Sequence, residues 1–160
     1  MAQNRSAPPL AGLELVPAEP GFLKDLLERP DLDSFLRDAA EQTLVHQAKT
    51  GAVAPWTGYF ARLGADWVGI CAFVDRPRAG AVEIAYGTAP GFEGRGIATA
   101  MVARLTALAF ESDAVTVVAA NTAPMPSAST HILEKLGFTR DGVIQDAEIG
   151  EAWHWTTPRR

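Results

Sequence analysis

Cysteine occurs once in the chain, and that scarcity excludes several chemistries together. Cys71 lies inside the apolar run WVGICAFV, so neither a disulfide framework nor a multi-cysteine metal site can be built. A thiol in such a run is expected to be buried and inert, because reactive thiols sit in exposed, electropositive settings. Histidine is nearly as sparse. His46 and His154 have no cysteine or carboxylate at metal-ligand spacing, so no metal is expected. Only two tyrosines are present, Tyr59 and Tyr86. No apolar stretch approaches the roughly 20 residues that span a bilayer, and the opening MAQNRSAPPLAG lacks the apolar centre of a signal peptide. Lys and Arg number 14 against 19 Asp and Glu, giving a net charge of −5. That balance argues against nucleic acid as the main partner, since neutralising phosphates takes clustered cations. The expectation is a cytoplasmic protein, monomer or homodimer, with no nucleic-acid or membrane partner.

At 160 residues the chain has the length of one ordinary domain with a real core. Residues 1–12 read as a flexible lead and 13–160 as a single domain. A short strand is predicted over 13–16, closed by Pro17. Apolar residues at helical spacing predict helices over 20–27 and 32–48, separated by Pro30, which cannot continue a helix. Residues 57–63 and 66–75 are β-rich around Gly64 and Ala65, the pattern of a hairpin. A strand over 82–88 follows. Next comes a helix over 97–111 with Ile97, Met101, Leu105 and Leu108 on one face. Residues 114–120 read as a buried strand. A helix over 129–136 is closed by Gly137, suited to a left-handed cap with Phe138 packing back. Residues 143–144 and 152–156 supply the last strands. The order describes an α/β domain around one central mixed sheet.

Most of the functional information lies in AVEIAYGTAPGFEGRGIATAMV, residues 81–102. It reads as strand, glycine-rich turn, amphipathic helix. Unpaired N–H groups of a first helical turn, with the positive end of the helix dipole, make such a turn a natural anion site. The glycines run G-x-x-G-x-G, the reverse of the dinucleotide fingerprint, and no G-K-[ST] follows as in a P-loop. A ligand-free β-to-α turn is the plain alternative.

A second block decides between them. EGRGIA (residues 93–98) resembles the pyrophosphate signature Q/R-x-x-G-x-G/A of the GNAT superfamily of acyl-CoA-dependent N-acyltransferases. NTAPMPSASTHILEKLGF (residues 121–138) is similar to that superfamily's second CoA-binding block. Within it, the second block looks most like the branch of ribosomal-protein N-terminal acetyltransferases. The resemblance implies a central, mostly antiparallel, splayed sheet flanked by helices, with acetyl-CoA as co-substrate and an amine as acceptor. It implies backbone contacts from Ala85, Tyr86, Gly87 and Thr88 to the pantetheine arm and thioester oxygen. Gly94, Arg95, Gly96, Ile97 and Ala98 would hold the pyrophosphate, and Thr99 could add its hydroxyl. Arg95 is equally readable as a solvated surface arginine, and Asn121 as either a pantetheine contact or the polar end of its strand.

One position departs from the signature: Glu93 stands where the family has Gln or Arg. A carboxylate facing a pyrophosphate is repulsive, so Glu93 is expected to turn outward. The implied general base is Glu83, whose alternative is a sheet-surface glutamate. Relatives often protonate the leaving thiolate with a tyrosine after the second block, a place neither tyrosine occupies here. Ser127 and Ser129 fall close to it and are the candidate acids, with helix capping as their plain role. His131 is expected to be surface or structural. Trp153 and Trp155 are expected to pack, and Trp56 is the candidate acceptor contact. The leading reading is N-acetyl transfer to a primary amine, on a small molecule or a protein N-terminus; a non-catalytic CoA-binding module of the same fold is the alternative.

Overall fold

The structure, a computed structural model, describes residues 10–160. Residues 1–9 of the expected lead lie outside it, whereas Leu10 packs on the core and its carbonyl accepts from the N–H of Leu13 at 3.0 Å. Among the described residues, seven strands and four helices follow one another as β1 (Leu13–Pro17), α1 (Pro20–Leu27), α2 (Ser34–Thr50), β2 (Gly58–Leu63), β3 (Asp66–Phe73), β4 (Ala81–Thr88), α3 (Ile97–Phe110), β5 (Val117–Thr122), α4 (Ala128–Lys135), β6 (Thr139–Asp146) and β7 (Gly150–Pro158). The sheet order is β1-β2-β3-β4-β5-β7-β6. Every neighbouring pair is antiparallel except β4 and β5, which α3 connects as a parallel crossover.

Local chemistry sets the boundaries. Pro20 opens α1, where its missing N–H costs nothing. The side chain of Asp33 accepts the N–H of Phe35 at 2.7 Å, so α2 starts at Ser34 rather than at Leu32 as the apolar stripe alone predicted. Gly51, at φ 62°, ends it. After α4 the Phe138 N–H reaches the Leu133 carbonyl at 2.9 Å and the Gly137 N–H reaches Glu134 at 3.1 Å, while Gly137 adopts φ 90°. This is the left-handed closure that the LGF sequence predicted.

Three strands differ clearly from expectation, β7 by running over nine residues, Gly150–Pro158, rather than 152–156. β5 begins at Val117 rather than 114, because Ala114 and Val115 belong to a turn whose N–H groups are taken up by Ser112. β6 runs over eight residues instead of two. As an exposed edge strand it shows almost no hydrophobic alternation from which its length could be read.

Alternation sorts the strands onto two faces. Val82 and Ile84 of β4 point into the larger core, with Met101 and Leu105 of α3 and Leu133 of α4. On the opposite face α1 and α2 cover Phe60 and Ala89 through Leu23, Leu26 and Leu36. Cys71 is free and buried in the larger core, and burial pushes its thiol up to about 12. Glu83, Ala85 and Gly87 face the α2 side. Gly87 lies so close under the Phe35 ring that a Cβ there would stand 3.1 Å from it.

Candidate functional site

The glycine turn has the form of an anion cradle. Gly91, Gly94 and Gly96 take φ of 91°, 76° and 80°, a region that L side chains rarely adopt, and nothing lies within 4 Å of where their Cβ atoms would be. Gly96 is the N-cap of α3 and offers no side chain to it. The first helical bond runs from the Ala100 N–H to the Gly96 carbonyl at 3.0 Å. The N–H groups of Ile97, Ala98 and Thr99 therefore have no helical partner. They open into a cavity of about 520 Å³ whose walls include Tyr86, Thr88, Gly94, Ser129 and Ile132. Arg95 lies beside this cavity with its guanidinium over the Phe92 ring, 5.2 Å from the centroid.

Glu93 is solvent-exposed, with its carboxylate held against the loop. Its Oε1 accepts the N–H of Gly91 at 2.8 Å, folding the carboxylate back onto the loop, and the residue lines the cavity. A main-chain donor two residues away satisfies it more directly than solvent would.

The sheet opens next to this loop. β4 and β5 pair only from Ala81 with Val117 to Ile84 with Ala120. Beyond that point 85–88 stay paired to β3, while β5 continues alongside β7 as far as Thr122. The strands part, leaving the β5-facing backbone of 85–88 without a strand partner. A second cavity, of about 500 Å³, lies on the other side of the gap and is lined by Glu83, Ala85, Asn121, Asp146 and Glu148. Tyr86 and Ser129 line both cavities. The Tyr86 hydroxyl is buried with no hydrogen-bond partner in normal geometry, although Ser129 is near enough to act on it. Burial pushes its pKa up and Ser129 draws it part of the way back.

Around Glu83 the strands bring together side chains that are distant in sequence. Asn121 Nδ2 donates to Glu83 Oε2 and to Asp146 Oδ2, each at 3.2 Å. Its Oδ1 accepts from His154 Nδ1 at 2.7 Å. Only the amino end of an amide can face two carboxylates, so this arrangement fixes the amide orientation and makes His154 Nδ1 a donor. His154 Nε2 stands 3.9 Å from Asp141 Oδ1. Asp146 also accepts the N–H groups of Glu148 and Ile149, at 2.8 and 3.2 Å, which hold its carboxyl below the usual range. Glu83 is displaced the other way. Burial raises it first, the charge of Asp146 adds to that, and His154 opposes both. Two carboxylates sharing one donor are thus driven apart in acidity, the pattern of a fixed anion beside a proton acceptor.

The two candidate serines separate. Ser127 is the N-cap of α4, accepting the Thr130 N–H at 3.3 Å while Thr130 Oγ1 accepts the Ser127 N–H at 2.9 Å, and it lines neither cavity. Ser129 lines both. Trp56 packs its ring 5.0 Å from that of Phe73 and lines a third cavity, of about 440 Å³, on the α2 side. That cavity shares Val74 and Glu148 with the Glu83 cavity. His131 is exposed at the rim of the loop cavity. Trp155 packs in the core and donates to Thr122 Oγ1 at 3.0 Å, while Arg140 lies 4.0 Å over Trp153. Among the described residues no group of three or more His, Cys, Asp or Glu is placed to hold a metal, and no helix is long and apolar enough to cross a membrane.

Sequence reasoning missed Asp146, His154 and Asp141. In the sequence His154 reads only as a histidine without metal-ligand partners. The available signal was its alternation with Trp153 and Trp155, which puts it on the face opposite the core.

A parallel crossover whose helix starts without a side-chain cap, beside a gap in an otherwise antiparallel sheet, defines the class: a mixed α/β domain with an anion cradle at the edge of a split sheet. The family comparison is direct: residues 22–139 match the acetyltransferase (GNAT) domain family, and the chain belongs to it. No curated protein matches by sequence. Among solved structures, an acetyltransferase from Salmonella typhimurium, described as modifying the N-terminal serine of a 50S ribosomal subunit protein, superposes with a TM-score of 0.69. It is 16% identical, with 96% of this chain and 98% of that one covered. The microcin C7 self-immunity acetyltransferase MccE, in complex with acetyl-CoA and AMP, gives a TM-score of 0.70 at 16% identity over 93% of each chain. The spermidine/spermine N-acetyltransferase SpeG from Vibrio cholerae gives 0.69 at 13% identity over 92% of each chain. These likenesses are of fold.

Proposed function

We propose that the protein transfers an acetyl group from acetyl-CoA to a primary amine. The observation that carries this reading is the gap between β4 and β5, which joins a cavity of unpaired loop N–H groups to one holding Glu83. Bound acetyl-CoA supplies an acyl group activated as a thioester and a thiolate leaving group. The N–H groups of 94–98, with Thr99, are suited to the pyrophosphate, and the free backbone edge of 85–88 to the pantetheine amides and the thioester oxygen. The unpartnered Tyr86 hydroxyl and the open space at Gly94 and Gly96 fit a ligand in that groove.

The acceptor arrives from the α2 side as an ammonium ion. The Glu83 cavity has Asp146 and Glu148 on its walls and neither Lys nor Arg, a setting that attracts a cation. Glu83 takes a proton from the ammonium. The freed nitrogen lone pair attacks the thioester carbon, the C–S bond breaks, and the sulfur leaves with its electron pair. The nitrogen sheds its second proton as the amide forms; Ser129, which lines both cavities beside Tyr86, passes that proton to the sulfur, and Glu83 gives up the first to solvent. Asn121 has its amide engaged by Glu83, Asp146 and His154, so its contact with pantetheine is not part of this reading. The wall from Val74 to Trp56 gives the acceptor's body a place to lie, on a small molecule or at a protein N-terminus.

A CoA-binding module without chemistry is the competing reading, favoured by the lack of a tyrosine after the second block to protonate the leaving thiolate. Thiol release from acetyl-CoA with a panel of primary amines, beside calorimetry with CoA, separates the two. Transfer predicts turnover with at least one amine. The module predicts CoA binding, no turnover and no effect of E83Q.

A further inference from the structure

We propose that His154 is a positioning residue for Glu83: it fixes the Asn121 amide, and that amide holds the carboxylates of Glu83 and Asp146 side by side on the cavity wall. The inference rests on the reading of Glu83 as the base and extends it to a residue with no place in the family signature. β5 and β7 align Asn121 directly opposite His154, and β4 and β5 align Glu83 opposite Ala119, two residues before Asn121 on the same face. The sheet register therefore brings three side chains from three strands to one point. Asp146 joins them from the end of β6, where the turn N–H groups of Glu148 and Ile149 keep it in place. Behind His154 stands Asp141 of β6, whose Oδ2 also accepts from Thr156 Oγ1 at 3.2 Å.

The function of the frame follows from its donors. Asn121 Nδ2 is the one donor that both carboxylates share. Were the amide free to turn, its oxygen would face two anions, and the Glu83 side chain would lose the contact that keeps it toward the cavity. The His154 Nδ1–H removes that freedom from the far end. The charged and titratable groups on the walls around Glu83 are Asp146 and Glu148 from the β6–β7 hairpin, His154 from β7, and Tyr86 along its own strand. β5 contributes Asn121 and α4 contributes Ser129, neither of which titrates. Of these, Asp146 and His154 act on Glu83 in opposite directions.

The test is a carbon-13 NMR titration of the Glu83 carboxyl in the full chain, for the wild type, H154F, H154N and D146N. Loss of the frame in H154F removes a donor and a cation, so the Glu83 midpoint rises by about 0.5 pH unit or more. H154N keeps a donor where Nδ1 was but carries no charge, and recovers at least half of that rise. D146N removes the like charge while keeping the Oδ1 acceptor for the turn, so its midpoint falls. The proposal is overturned by an H154F midpoint within about 0.2 unit of the wild type, by an H154N midpoint equal to that of H154F, or by a D146N midpoint that does not fall. Turnover reads out separately. Midpoints that move as expected in a protein that transfers no acetyl group retain the frame and refute the base role, while turnover with unmoved midpoints does the reverse.

Discussion

Two carboxylates 63 residues apart in the chain take opposite acidities here because of what surrounds each of them. Asp146 is held ionised by main-chain donors, whereas Glu83 is partly desolvated beside that anion. A base acts only when ionised, so activity is lost as the pH falls through the Glu83 value and regained as it rises. The acid limb of kcat/KM is therefore expected above the ordinary glutamate range, and D146N is expected to move it to lower pH. A limb unmoved in D146N would show that Asp146 does not act on the base. Glu93 concerns affinity rather than rate. E93Q retains an oxygen for the Gly91 N–H but removes a negative charge from the phosphate cavity. At a few ångströms through water that charge is worth on the order of 1 kcal/mol, a severalfold tightening of CoA in a calorimetric titration. Weaker binding of CoA by E93Q would mean that the carboxylate supports the ligand.

At the scale of elements, the start of α3 and the closure of α4 support the cavity proposed for the cofactor, and both depend on backbone conformation. Gly96 adopts φ 80° at an N-cap with no side-chain partner. G96A forces a Cβ into that conformation at a cost of about 1–2 kcal/mol and projects a methyl group into the space for the phosphates. Weaker CoA binding together with a lower melting temperature is expected, and unchanged binding would place the anion elsewhere. α4 is secured by the reciprocal bonds of Ser127 and Thr130. S127A is expected to cost about 1 kcal/mol in chemical denaturation and to leave turnover nearly intact, as suits a capping residue. S129A is expected to slow turnover without comparable loss of stability. A large rate loss in S127A alone would exchange the two roles.

For the whole molecule, the sheet is a divider with a cavity on each side, which the proposed function assigns to different ligands. Helices α3 and α4 and the glycine loop build one side, α2 and the β6–β7 hairpin the other, and the β4–β5 gap connects them. The first side was legible in the sequence because main-chain function leaves a side-chain trace. Glycines mark the positive φ of the loop, and LEKLGF marks the cap that closes α4. The second side was not legible. Glu83 could be proposed by resemblance, but its partners Asn121, Asp146 and His154 meet only through the pairing of β5 with β7 and of β7 with β6. The polar, exposed residues of β6 hid even that strand's length. Leu105 of α3 is fully buried in the larger core that packs this helix against the sheet. L105A is expected to cost about 2–5 kcal/mol in urea denaturation.

The central claim, acetyl transfer assisted by Glu83, is tested most directly by comparing the wild type with E83Q in two measurements on the same preparations. One is CoA affinity by calorimetry, and the other is thiol release from acetyl-CoA across a panel of primary amines. The account predicts CoA binding by both proteins, equal within about threefold, and a kcat for E83Q lower by about 100-fold or more. Absence of CoA binding at millimolar concentration, or an E83Q that turns over at the wild-type rate, would contradict it.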